Sequence, residues 1–146
     1  MYKRILVPID GSTTSDMALQ EAIKLIDAQP AQLRLVHVID DLQYLDGEGY
    51  VDYAELRKLT RKIGERMLAK AEEIARQADI TVDTSLLEAN GERIARVIDA
   101  EAISWSADLI VIGTHGRSGF SHLLFGSVAE GIVRGASVPV LLVRSE

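Results

Sequence analysis

Short apolar runs and stretches of helical period take turns along the whole chain, and this alternation restricts the fold more than any other feature. Arg4 to Ile9 is an apolar run closed by Pro8, Asp10 and Gly11, which reads as a buried strand with a turn at its carboxyl end. A helical pattern follows at Ala18, Leu19, Ala22, Ile23 and Ile26, with Thr13 and Asp16 spaced as a capping box. Leu33 to Ile39 is the second strand. Leu56, Leu59, Ile63, Met67, Ala71, Ile74 and Ala78 step by 3 or 4 residues, which predicts one long helix with a single apolar stripe. Ile80 to Leu87 is the third strand. Asn90 is placed to cap a helix striped by Ile94, Val97, Ile98 and Ala102. Asp108 to Ile112 is a fourth strand. Ser127 and Glu130 form a second capping box, opening a helix through Ile132 and Val133. Val138 to Val143 is the last strand. Strands joined by helical crossovers form a parallel sheet with helices on both faces, so an α/β fold in one domain over residues 1–146 is expected.

Composition removes whole classes of function. With no Cys in 146 residues, disulfide scaffolds, thiolate nucleophiles and Cys-based zinc sites are out. No apolar run approaches a membrane span, and the apolar stretch Ile5 to Ile9 is too short for a signal peptide, so a cytoplasmic protein is expected. The net charge of −6 argues against nucleic acid as a partner, since phosphate backbones call for a basic face. One segment stands apart. Asp40 to Glu55 holds six acidic residues, three Tyr and no Lys or Arg, the composition of a solvated loop.

The chemistry concentrates after the fourth strand. Gly113, Gly116 and Gly126 followed by Ser127 give the spacing G-x2-G-x9-G-S. Gly113 ends a buried strand, where a ligand can approach the backbone with no Cβ in the way. Gly116 permits a turn with free N–H groups. Gly126 and Ser127 are expected at a helix N-terminus, where unpaired N–H groups and the helix dipole favour an anion. Arg117 adds a cation beside them. Taken singly, each glycine is explained by a turn; together, between a buried strand and a capped helix, they point to phosphate.

Pro8, Ile9 and Asp10 close the first strand, where open parallel sheets place their ligands. Asp10 suits a ribose hydroxyl or a phosphate-bound Mg²⁺, and equally a turn in which it bonds its own backbone. Val38 suits contact with a flat base, although core packing alone explains a lone Val. His37 lies inside an apolar strand and reads as a packed histidine. His115 and His122 flank Arg117, within reach of phosphate. There is no G-x4-G-K-[ST], no G-x-G-x-x-G after the first strand and no G-x-S-x-G, so Walker-type, dinucleotide and hydrolase-elbow sites are not expected.

The glycine spacing, the opening Ile5 to Ser12 and the closing Ser137 to Val143 resemble the universal stress protein family over essentially the whole chain, and its ATP-binding branch in particular. The resemblance implies a Rossmann-like sheet of the adenine nucleotide alpha hydrolase type, in order 3-2-1-4-5. It also implies a cleft of Pro8, Ile9, Asp10, Val38, Ile112, Gly113, Gly116, Arg117, Gly126, Ser127 and Val128. That cleft would hold ATP or another adenine nucleotide, with Mg²⁺ held through its phosphates and Asp10. A homodimer through Val138 to Val143 is implied as well. No positioned general base is evident, so binding with slow or no hydrolysis is expected. The competing readings are a slow ATPase or phosphotransferase using Asp10, His115, His122 and Ser127, a receiver-type phospho-acceptor at Asp10, and a dimeric scaffold whose nucleotide is incidental. Against the receiver, the third strand ends in Glu88 and no Lys follows the fifth.

Overall fold

The computed structural model describes residues 1–40, 52–114 and 123–144. Within them the chain runs β1 (Arg4–Pro8), α1 (Thr13–Ala28), β2 (Gln32–Ile39), α2 (Tyr53–Gln77), β3 (Val82–Glu88), α3 (Ile94–Trp105), β4 (Leu109–Thr114), α4 (Leu123–Gly135) and β5 (Val140–Arg144). The strands form one parallel sheet in the order β3-β2-β1-β4-β5. The strand side chains alternate between two cores, as the pleat requires. Ile5, Val7, Leu33, Leu35, Leu109 and Val111 pack with α1 and α2. Leu6, Val36, Ile110 and Ile112 pack on the other face with Ile98, Ala102 and Trp105 of α3 and Val128, Ala129 and Ile132 of α4. Because both faces are covered, the central strands are apolar along most of their length, with Arg4, Gln32 and Arg34 near their amino ends and His37 and Thr114 near their carboxyl ends.

Several local expectations shift by a few residues, each for a physical reason. The N-cap of α1 is Ser12, not Thr13: its hydroxyl accepts from the Ser15 N–H, and its extended backbone lets the helix start one residue earlier. Asn90 does not cap α3. With φ of 51° it joins Gly91 in a left-handed turn, and Arg93 takes the cap position without a side-chain bond. The third strand begins at Val82, because Ile80 closes α2 instead. Ile80 N–H returns to the Ala75 carbonyl, and Asp79, at φ 61°, gives its N–H to Arg76. These are the two bonds of a Schellman motif. The stripe of α2 also turns by one position. Thr60, Gly64, Leu68, Ala71 and Ala75 face the sheet, while Leu59 and Ile63 are exposed. The small residues are selected because the helix backbone sits close. A Cβ on Gly64 would come within 2.7 Å of Leu86 and 2.8 Å of the His37 ring.

The amino ends of the strands are tied by polar groups. Asp108 accepts N–H bonds from Lys3 and Arg4, at 2.9 to 3.1 Å. The guanidinium carbons of Arg4 and Arg34 lie 5.5 and 4.8 Å from the centre of the Trp105 ring. Arg34 also pairs with Glu101 at 2.7 Å and Asp83 at 3.2 Å. This end is closed by packing and charge. The carboxyl end is built differently.

Candidate functional site

Neighbouring residues of a strand turn their backbone polar groups to opposite sides. In β1 the Arg4 carbonyl faces β4, where it accepts the Asp108 N–H at 2.9 Å. The Ile9 N–H faces β2 and reaches the Val36 carbonyl at 2.7 Å. Even positions of β1 therefore serve β4 and odd positions serve β2. After Leu6 the next position facing β4 is Pro8, which has no N–H to give. The registered pairs of β1 with β4 end at Leu6↔Ile110, whereas those with β2 continue to Pro8↔Val36. A single proline thus lets the two central strands part at their carboxyl ends. This is where the strand order reverses, the position at which open α/β sheets bind ligands.

Beyond the strand the chain makes a tight exit. Gly11 takes φ of 83°, a conformation favouring glycine, and Asp10 Oδ1 accepts the Ser12 N–H at 2.9 Å. The local-turn reading of Asp10 is therefore realised on one oxygen. Among the described residues, Oδ2 has no hydrogen-bond partner.

On the α3 and α4 side of this exit lies a small crevice. Its walls are Pro8, Ile9 and Asp10 from β1 and its turn, Val36, His37 and Val38 from β2, Ile94 and Ile98 from α3, and Val128 from α4. The structure thus brings together Pro8, Ile9, Asp10, Val38 and Val128 of the expected cleft. The crevice encloses about 20 Å³, room for one water. Ile94 and Ile98 were read only as a helix stripe. Their place in the wall follows from α3 starting at Ile94, level with the strand ends, which the spacing alone does not reveal.

The remaining cleft residues behave differently. Ile112 is fully buried beneath the crevice, in the core of that face. Gly113 is glycine for a reason other than ligand approach. A Cβ there would come within 2.4 Å of the Thr14 carbonyl oxygen, so the close packing of α1 on β4 already demands it. Ser127 is not a cap. The helix α4 begins at Leu123, which places Gly126 and Ser127 inside it. A cap needs non-helical backbone, which Ser127 inside the helix does not have. Gly116, Arg117, His115 and His122 lie outside the described residues. Among the described residues no cluster of three or more His, Asp or Glu is arranged for a metal ion. No described helix is long and apolar enough to cross a membrane.

Comparison with known proteins bears directly on this arrangement. The model of the universal stress protein family matches residues 1–144. The chain belongs to the universal stress protein family. Universal stress protein MJ0531 of Methanocaldococcus jannaschii is 31% identical over 144 residues, covering 99% of this chain and 83% of that protein. Universal stress protein YxiE of Bacillus subtilis is 33% identical over 151 residues, covering 99% of this chain and 100% of that protein. Among solved structures, a universal stress protein family member from Burkholderia pseudomallei superposes with a TM-score of 0.80 at 33% identity, covering 99% of this chain and 97% of that one. Two universal stress proteins of the same fold, each 23% identical, were solved in complex with cAMP and, in the Archaeoglobus fulgidus protein, with dAMP.

Proposed function

We propose that the chain binds an adenine nucleotide, ATP or a close relative, in the crevice beyond β1, β2 and β4, and acts as a regulatory binding module of the stress response. The observation that carries this reading is the parting of β1 from β4 at Pro8, next to an apolar slot between Val38 and Val128. The apolar walls of such a slot suit the faces of a flat base, and the glycine spacing after Gly113 suits a polyanion. In this reading Pro8, Ile9 and Val38 contact the base, with Val128 opposite and Ile112 as the floor. Asp10 Oδ2 takes a ribose hydroxyl or a Mg²⁺ bound to phosphate. Gly113, Gly116, Arg117, Gly126 and Ser127 border the phosphates, with the helix dipole of α4 behind them. The adenine nucleotides held by cAMP- and dAMP-bound family members support the ligand class. The net charge of −6 argues against nucleic acid as the partner, and a cytoplasmic location would supply ATP.

A base bound here would lie against Ile94, Ile98 and Val128 as well as Val38, so occupancy would be felt in the α3–α4 layer, which is what a sensor needs.

Thermal unfolding with millimolar Mg-ATP tests the reading. At 100 times the dissociation constant, binding adds about 2.7 kcal/mol of stability, several degrees for a chain of this size. Gly116→Val should remove the shift. An unchanged midpoint for the native chain overturns the proposal.

A further inference from the structure

The ladder between β1 and β2 is broken just past β1, at Ile9. In a parallel pair, the Ile9 carbonyl should accept the next N–H of β2 after Ile9 N–H has bonded Val36. Instead it accepts from a side chain, with His37 Nδ1 at 2.7 Å. A carbonyl only accepts, so Nδ1 carries the proton. The ring is held for this purpose. His37 lies on the α2 side of β2, opposite Leu86 in register, and Gly64 of α2 leaves the space its ring occupies.

A trans peptide is planar, with its C=O and N–H pointing in opposite directions, and no cis peptide occurs among the described residues. Fixing the Ile9 carbonyl toward β2 therefore aims the Asp10 N–H away from β2, into the gap that Pro8 opens beside β4. Among the described residues no acceptor meets that N–H. The result is one oriented, unpaired donor at the mouth of the crevice.

We propose that His37 is a positioning residue for nucleotide binding: by holding the Ile9 carbonyl it presents the Asp10 main-chain N–H to an acceptor atom of the ligand. This rests on the adenine-nucleotide reading above and adds to it a residue that acts through the Ile9 carbonyl. His37 is thereby more than a packed histidine, and Gly64 is part of the same device, because any larger residue would displace the ring.

Two variants separate this role from simple packing. The side-chain amide of Asn places a donor where Nδ1 of His lies, whereas Leu fills space without one. ATP affinity of the native chain, His37→Asn and His37→Leu is measured by calorimetric titration, with folding of each checked by thermal unfolding. His37→Asn should bind within about threefold of native, and His37→Leu should be weakened at least about tenfold. Equal binding by native and His37→Leu overturns the role. A native chain that binds no adenine nucleotide overturns the reading beneath it, and the two failures are read from different samples. Nitrogen NMR of the native protein adds a check that needs no variant. The Nδ1-protonated ring is expected at neutral pH, and a ring protonated only at Nε2 contradicts the proposal.

Discussion

At the scale of single residues, Gly113 and Pro8 show how local backbone geometry fixes residues beside the proposed site. Gly113 heads the glycine spacing, yet its missing Cβ is demanded by the Thr14 carbonyl. Gly113→Ala must push β4 and α1 apart and is expected to destabilise by about 1–3 kcal/mol in urea unfolding, with or without nucleotide. A neutral substitution would show that α1 can yield there. Pro8 was legible in the sequence as the end of a strand. What it does to the β1–β4 ladder was not, because the neighbour on that side is 100 residues away along the chain. His37 was similarly opaque. An imidazole in an apolar strand looks like packing until the carbonyl it serves is seen, and that carbonyl belongs to another strand.

Among the elements, the four helices and five strands were legible from periodicity, since apolar runs buried on both faces look the same in sequence and in space. Their ends were not. Caps depend on backbone conformation, and several residues near each end were chemically able to cap. Ser12 won over Thr13, and α4 took in Leu123 to Ser127 before any capping box could act. Ser12→Ala should cost about 1 kcal/mol of stability by denaturant unfolding. The opposite sign is expected at the end of α3. Ser106 sits at φ 62°, where glycine carries no steric penalty. Ser106→Gly should therefore gain about 0.5–1 kcal/mol in the same experiment. The face of α2 was misread by one position because the sheet accepts Gly64 and Thr60 more closely than any large apolar residue. At the other edge of the sheet, β5 leaves Leu141 and Leu142 at 38% and 43% exposure on a strand paired with β4 alone among the described residues. Edge strands of this kind pair with copies of themselves unless blocked. Light scattering at micromolar concentration should return a dimer for the native chain and a monomer for Leu142→Glu. A native monomer contradicts the proposed homodimer.

For the whole molecule, the two ends of the sheet divide the work. The amino end is locked by Asp108, by the Trp105 ring beside two arginines and by the Arg34–Glu101 pair. The carboxyl end is left unfinished: β1 parts from β4, one carbonyl is diverted to His37, and a narrow apolar slot remains. The interactions that lock the sheet and the proposed binding site thus lie at opposite ends of the strands. The account predicts where a nucleotide is felt. Amide and methyl NMR spectra recorded during an ATP titration should show the largest changes at Asp10, Val38, Ile94, Gly113 and Val128, with Arg4, Trp105 and Asp108 unmoved. Spectra that stay unchanged at saturating ATP, or that change first at the amino end of the sheet, would contradict it.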